Sequence, residues 1–237
     1  MQERAAVVIV AAGSSRRMAG RDKLWTPLAG RLTLARTVDA FEGCPLIKAI
    51  VLVVHPAREA EACELLAEEG WRKVVAVVAG GPRRQDSVRL GLEALARRLP
   101  ETQWVLVHDG ARPFVSSSLI EAGLQTARLH QAAVAAVPVK DTLKVVEGGY
   151  VCETPERAHL WVVQTPQVFA FPLLWEAHHA RCLQTMGEEE VSDDATLVER
   201  LGYRVVIFPG SYTNMKITTQ EDFLLAEYLV HQETWPR

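Results

Sequence analysis

Short apolar runs alternate along this chain with segments whose apolar residues recur every three to four positions. The runs predict five buried strands, at residues 5–10, 49–54, 74–78, 104–108 and 132–139. The intervening segments predict helices at residues 57–69, 85–99 and 116–131. Because strands that alternate with helices form parallel sheets, the pattern predicts an α/β fold with a doubly wound, mostly parallel sheet. Ligands of such sheets bind beyond the carboxyl ends of the strands.

The alternation stops between residues 140 and 164, around a Gly148-Gly149 turn. Polar and apolar residues alternate there, which predicts a β-hairpin that leaves the main sheet. We interpret residues 140–164 as an arm that packs on a second copy of the chain, and the alternative is an ordinary surface hairpin. Farther on, residues 203–208 predict a strand, and residues 218–221 predict a capping box for a last helix that ends at residue 229. Since repeats and linkers are absent, residues 1–237 are predicted to form one domain with an arm.

Composition limits the partners of this domain. Of its 237 residues, 49% are hydrophobic and 23% are charged, as in an ordinary globular protein. A net charge of −3 provides no general basic field for nucleic acid. The longest apolar runs fall far short of the roughly 20 residues that cross a bilayer. No signal peptide is visible, and the four cysteines lack metal-site spacing. These features predict a cytoplasmic protein that binds neither nucleic acid nor membrane.

The loop after the first strand carries the first candidate chemistry. Small residues let a ligand approach the backbone, and nearby cations attract an anion. Phosphate suits both features, because backbone N–H groups and cationic side chains are its natural donors. The spacing matches neither the Rossmann fingerprint nor a P-loop, and the alternative is a plain turn with surface arginines. The candidate residues are Ala11, Ala12, Gly13, Ser14, Arg17 and Lys23.

A second loop follows the third predicted strand and opens a helix. It contains Gly80 and Gly81, with Asp86 and Ser87 near the start of the helix. Ser87 is placed to bond a base, a ribose or a phosphate. The alternative is that Asp86 or Ser87 only caps the free N–H groups of the helix.

A third loop contains His108, Asp109 and Arg112. A carboxylate just past a strand is well placed to hold a divalent cation such as Mg²⁺, together with phosphate oxygens. Arg112 could bind a substrate phosphate, and the alternative is a salt bridge between Arg112 and Asp109. His108 is predicted to be structural, since no second histidine lies at ligand spacing.

Three polar residues in the second half of the chain, Thr165, Ser192 and Lys216, complete the candidates. Each of them alone is best interpreted as a cap or a surface residue. Together with the three loops they are predicted to form one pocket. Lys216 lies between Met215 and Ile217, so it is predicted to be partly buried and to have an anionic partner.

Almost end to end, these motifs resemble the 2-C-methyl-D-erythritol 4-phosphate cytidylyltransferases of the non-mevalonate isoprenoid pathway. The matching segments are residues 11–18, 86–88, 108–113, 138–142, 165–167 and 214–218. The resemblance implies a Mg²⁺-dependent nucleotidyl transfer. In it, the phosphate of methylerythritol phosphate attacks the α-phosphorus of CTP and pyrophosphate leaves.

The resemblance also implies roles for the candidate residues. Arg17 and Lys23 would stabilise transition-state charge, while residues 11–13 and 80–87 would hold cytosine and ribose. Asp109 would serve the metal or the substrate hydroxyls, and Arg157 and Lys216 would place the attacking phosphate. From the arm, Thr142 and Arg157 would reach the pocket of the partner subunit in a homodimer. The pocket would be completed by Arg112, Thr165, Ser192 and Lys216.

The chain departs from the family pattern at several positions, one of which surrounds Lys23. Asp22-Lys23-Leu24 stands where the family usually has Pro-Lys-Gln. Asp22 is open to two interpretations: it damps the charge of Lys23, or it caps the next helix.

Two other functions remain open. One is a related enzyme that activates ribitol 5-phosphate with CTP through the same opening loop. The other is a non-catalytic nucleotide-binding protein on the same fold, which is expected to have lost cations such as Arg17 and Lys23.

Overall fold

The computed structural model describes residues 4–13, 22–180 and 191–232. Within them, one sheet comprises β1 (Ala5–Ala11), β4 (Ile47–Val54), β5 (Val74–Ala79), β6 (Trp104–Asp109), β7 (Ala132–Pro138), β10 (Trp161–Ala170) and β11 (Val206–Pro209). Two hairpins lie outside it and pair β2 (Pro27–Leu28) with β3 (Arg31–Leu32), and β8 (Val145–Glu147) with β9 (Tyr150–Glu153).

The strand order of the main sheet creates a crevice at its edge. The order is β11-β7-β10-β6-β1-β4-β5, and every strand except β10 runs in the same direction. The chain passes from β1 outward to β4 and β5, then crosses to the other side of β1 to form β6. Such a reversal opens a crevice beyond the carboxyl ends of the two strands where it occurs. Residues 11–13 and Asp109 lie at the ends of these strands, β1 and β6.

Helices cover both faces of the sheet. The described helices are α1 (Thr33–Glu42), α2 (Glu59–Glu69), α3 (Arg84–Arg98), α4 (Ser117–His130), α5 (Phe171–His179), α6 (Asp194–Arg200) and α7 (Gln220–His231). One core packs the sheet against α1, α2 and α4, and the other packs it against α3, α5 and α6. Successive residues of β1 alternate between the cores, since side chains of a strand point to opposite faces. This arrangement confirms the predicted doubly wound sheet.

Strand β10 was not predicted, and it is the antiparallel member of the sheet. Its sequence contains Pro166, a residue that argues against a central strand. Its buried part, residues 164–169, includes the polar residues Gln164, Thr165 and Gln167, so the sequence shows neither a continuous apolar run nor a clear alternation. Helices α1, α5 and α6 were also not predicted.

Several predicted boundaries change, and the strand predicted at residues 203–208 spans Val206–Pro209. The arm narrows to the β8–β9 hairpin around Gly148 and Gly149, both with positive φ, and the chain is back in the main sheet at Trp161. The capping box of α7 lies one residue later than predicted, because Thr219 and Asp222 form it rather than Thr218 and Glu221. In the described ranges, no helix combines the length and the apolar character that crossing a membrane requires.

Candidate active site

The first two candidate loops pack directly against each other. A Cβ atom added to Gly80 would lie 2.3 Å from the Cβ of Ala12 and 2.8 Å from the Oγ of Ser87. Only glycine therefore lets the loop after β5 approach the loop after β1 so closely. Ser87 is buried and its hydroxyl accepts the N–H of Gly81 at 3.1 Å. Ala11, Ala12, Gly80, Gly81 and Ser87 thus lie together at one edge of the sheet.

Asp86 performs the capping role that the sequence left open. Its carboxylate accepts the backbone N–H of Arg83 at 3.3 Å and the Nε–H of the same residue at 2.8 Å. The Arg83 guanidinium is the largest of the influences that lower the pKa of Asp86. Asp86 therefore shapes the start of α3.

Lys23 lies in a turn that precedes β2. The carboxylate of Asp22 accepts the N–H of Leu24 at 3.2 Å, so Asp22 closes a turn around Lys23. The predicted alternative of a helix cap is wrong, because the next helix begins only at Thr33. Ser14 and Arg17 lie outside the described residues.

Three cations from separate parts of the chain surround the carboxylate of Asp109. Lys216 Nζ lies 2.9 Å from Oδ2, Arg112 Nε 3.4 Å from Oδ2, and Arg84 Nε 3.7 Å from Oδ1. Burial raises the pKa of Asp109, but the charges of Lys216, Arg84 and Arg112 outweigh it and hold this pKa well below its usual range. Asp109 is therefore ionised. The predicted anionic partner of Lys216 is confirmed, and so is the ion pair between Asp109 and Arg112.

Arg84 lies within the predicted 80–87 segment but was not singled out as a site residue. It lies in the first turn of α3, and its Nη1 lies 2.7 Å from Oδ2 of Asp194. Asp194 is buried, and its Oδ1 accepts from His178 Nε2 at 3.0 Å. Burial lowers the pKa of Arg84, but the charges of Asp194 and Asp109 outweigh it, so this pKa lies above its ordinary value. The sequence offers one signal for Arg84, because it is the second of two adjacent arginines that follow Gly80-Gly81-Pro82.

His108 is hydrogen-bonded to the loop that contains Asp109, directly and through Thr165. The hydroxyl of Thr165 accepts the N–H of Asp109 at 3.0 Å and donates to His108 Nδ1 at 3.1 Å. His108 Nε2–H then donates to the carbonyl of Arg112 at 3.1 Å. Burial lowers the pKa of His108 to about 4, which keeps the ring neutral for this chain of bonds. The predicted structural role of His108 is confirmed.

A cavity of about 550 Å³ opens beside these groups. Five predicted residues line it: Asp109, Arg112, Thr165, Ser192 and Lys216. It is also lined by polar residues that were not singled out as site residues: Arg84, Gln164, Gln167, Asp193, Thr196 and Glu199. Thr142 and Arg157 do not line it within one chain. Both are exposed on the arm segment, and Arg157 Nη1 donates to the carbonyl of Lys140 at 2.8 Å.

The donor set around Asp109 does not fit a metal ion that the protein alone would hold. Three cations lie within 3.7 Å of this carboxylate, and they would repel a divalent ion. In the described part of the chain, no group of three or more histidine, cysteine or acidic side chains has a metal-binding arrangement. Asp109 is better placed to accept hydrogen bonds from the hydroxyls of a ligand.

Comparisons with known proteins agree on one family. The family model described as 2-C-methyl-D-erythritol 4-phosphate cytidylyltransferase matches residues 5–232. Proteins of that name from Dehalococcoides mccartyi and Geobacter metallireducens are 45% and 43% identical to the chain. The alignments cover 97% and 95% of the chain, and 97% of each relative.

Solved structures show the same likeness. The Thermus thermophilus enzyme of that name has a TM-score of 0.75 at 36% identity, over 95% of this chain and 98% of that one. The 4-diphosphocytidyl-2C-methyl-D-erythritol synthase from Anaerococcus prevotii has a TM-score of 0.84 at 31% identity, over 98% and 100%.

The buried His108 predicts how stability depends on pH. An unfolded histidine binds a proton below a pKa of 6.5, whereas His108 in the folded chain does so only near 4. Between these values the unfolded state binds more protons, so stability falls as the pH falls. From pH 7 to pH 5 this group should remove about 2 kcal/mol of unfolding free energy.

Urea denaturation at the two pH values measures this effect. His108→Gln should lose less stability than the parent protein over the same interval, by about that amount. Equal losses in the two proteins would contradict a depressed pKa at His108.

Proposed function

The chain belongs to the 2-C-methyl-D-erythritol 4-phosphate cytidylyltransferase family, and from this premise we propose how its residues carry out the reaction. The enzyme transfers the cytidylyl group of CTP to methylerythritol phosphate and releases pyrophosphate. The observation that carries our assignment of roles is the Asp109 cluster, which puts one carboxylate and three cations in a pocket at the β1/β6 crevice. Membership of the family does not favour ribitol phosphate activation or a non-catalytic role.

We assign the nucleotide to the packed loops after β1 and β5. The small residues 11–13 and the Gly80-Gly81 pair leave the backbone accessible to cytosine and ribose. Lys23 lies in the turn that follows the first loop, and Arg17 belongs to the same segment of sequence. Their charges would stabilise the negative charge that builds on the α-phosphate and on the leaving pyrophosphate.

We assign the polyol phosphate to the Asp109 pocket. The carboxylate would accept hydrogen bonds from the polyol hydroxyls, and Thr165 and Ser192 would add neutral partners. Arg84 is paired with Asp194, but Lys216 and Arg112 together carry more positive charge than Asp109 cancels, which suits a phosphate group. A phosphate oxygen held there forms the new bond to the α-phosphorus, and the bond from that phosphorus to the pyrophosphate oxygen breaks. The protein contributes position and charge.

We propose that Mg²⁺ accompanies the triphosphate instead of binding Asp109. Phosphate oxygens are hard ligands of the kind that Mg²⁺ prefers, and it keeps several waters at most protein sites.

We further propose that the enzyme is a cytoplasmic homodimer whose arms complete each other's sites. The β8–β9 hairpin exposes Val146, Tyr150 and Val151, an apolar surface of the kind that a partner covers. Arg157 and Thr142 are exposed on the same segment and lie outside the pocket of their own chain. A second chain could bring its Arg157 to the pocket, where it would help to place the attacking phosphate.

A direct assay tests the function. The purified enzyme with CTP and Mg²⁺ should release pyrophosphate when methylerythritol phosphate is added, and much more slowly with ribitol 5-phosphate. Turnover of ribitol 5-phosphate alone would overturn the substrate assignment. Turnover of neither phosphate in the presence of CTP would overturn the enzymatic role.

Mixed dimers test the shared site. Lys23→Ala and Arg157→Ala homodimers should each be nearly inactive. A dimer with one chain of each kind would have one intact site, because its Lys23 and its Arg157 come from different chains. Random pairing should therefore restore about a quarter of parental activity. Verified mixed dimers that show no recovery would argue that each arm serves its own chain.

A further inference from the structure

Asp22 closes the turn around Lys23 through three hydrogen bonds. Its Oδ1 accepts the N–H of Leu24 at 3.2 Å. Its backbone carbonyl accepts the N–H of Trp25 at 3.0 Å and the hydroxyl of Thr26 at 2.8 Å. A side-chain acceptor that bonds the backbone two residues later is the Asx turn, which holds a loop in one conformation. The residue inside this turn is Lys23.

The far side of the turn is anchored to α1. Leu24 is buried, and its carbonyl accepts the N–H of Leu34 at 3.0 Å. The carbonyl of Thr26 accepts both the N–H and the hydroxyl of Thr33, at 3.2 Å and 3.1 Å. The turn is therefore attached to the first residues of a helix that belongs to the main core.

Helix α1 also contacts the loop that follows Asp109. The buried hydroxyl of Thr37 donates to the carbonyl of Gly110 at 2.9 Å, directly after Asp109. A Cβ atom added to Gly110 would lie 3.3 Å from Leu34 Cδ1, so the helix packs closely on this loop. Through α1, the Lys23 turn has a defined position relative to Asp109.

The ion pair that Asp22 forms with Arg58 is long and partly exposed. Asp22 Oδ2 lies 3.8 Å from Arg58 Nε, and the Arg58 guanidinium lies over the ring of Trp25 at 5.4 Å. Arg58 also pairs with Glu61, and these side chains are all partly exposed, where ion pairs contribute little. The Leu24 N–H bond, by contrast, acts directly on the backbone of the turn.

We propose that Asp22 is a positioning residue for Lys23, and that it acts through its Oδ1 acceptor rather than through its charge. This proposal rests on the proposed function, in which Lys23 stabilises transition-state charge. A small displacement of a catalytic group can lower a rate by roughly 100-fold, because the reacting geometry is strict. Loss of the turn should therefore lower kcat more than it weakens CTP binding.

Two substitutions separate the acceptor from the charge. Asp22→Asn keeps an oxygen acceptor and removes the charge, and asparagine also forms Asx turns. Asp22→Ala removes both. We expect Asp22→Ala to lower kcat by roughly 10- to 100-fold with the KM for CTP within about threefold of the parent. Asp22→Asn should stay within about threefold of the parental kcat. Equal losses in both variants would overturn the acceptor role, and parental kcat in Asp22→Ala would overturn the positioning role.

Lys23→Ala in the same assays separates the catalytic role of Lys23 from the positioning role of Asp22. It should lower kcat by at least about 100-fold, as removal of one oxyanion donor does. Parental kcat in Lys23→Ala would overturn the role of Lys23 itself, and with it the proposal for Asp22. A large loss in Lys23→Ala beside parental kcat in Asp22→Ala would overturn only the positioning role.

The double variant shows whether Asp22 acts through Lys23. If it does, adding Asp22→Ala to Lys23→Ala should lower kcat by less than about twofold, because coupled residues are not additive. A further loss as large as that of the single variant would overturn the proposal, since Asp22 would then act on another group. Thermal unfolding of all four variants checks that each one folds.

Discussion

A buried carboxylate at the end of β6 stays ionised because three cations surround it. Asp109 is provided by a strand, Arg84 by the first turn of α3, Arg112 by the loop after β6, and Lys216 by the segment before α7. A buried charge without partners is very unfavourable, so this cluster needs all of these segments in place. Two hydrogen bonds connect the loop after β6 to the segment before α7. The N–H of Ile217 donates to the carbonyl of Ala111, and Arg112 Nη1 donates to the carbonyl of Asn214.

The fold brings these groups together for two reasons. The reversal of strand order at β1 and β6 places the first loop and Asp109 at the same edge of the sheet. Local contacts then fix the positions of the two loops. Gly80 lacks a side chain, so its loop packs closely against Ala12, and the hydroxyl of Thr165, which is bonded to His108, accepts the backbone N–H of Asp109. The result is a group of small residues, to which we assign the nucleotide, next to a charged pocket, to which we assign the polyol phosphate. This division matches a reaction in which the protein positions two phosphate-bearing substrates.

Much of this could be predicted from the sequence, because buried parallel strands are continuous apolar runs and their ends mark the ligand edge. The partial burial of Lys216 and its need for an anion followed from its apolar neighbours. Its partner could not be identified, since the pairing depends on how distant segments pack. Strand β10 was missed because Pro166 and the polar residues of its buried part interrupt the apolar pattern. Arg84 was not singled out because sequence does not decide which of two adjacent arginines faces the pocket. The proposed contribution of the arm would come from a second chain.

The division of the site into a nucleotide side and a polyol phosphate side is most directly tested at Lys216. Its ammonium group lies on the Asp109 side, 2.9 Å from that carboxylate. Steady-state kinetics of Lys216→Gln should show the KM for methylerythritol phosphate raised by about tenfold or more, because a charge-assisted contact to phosphate is lost. The KM for CTP should change by less than about threefold in the same variant. A rise confined to the KM for CTP would contradict the division of the site.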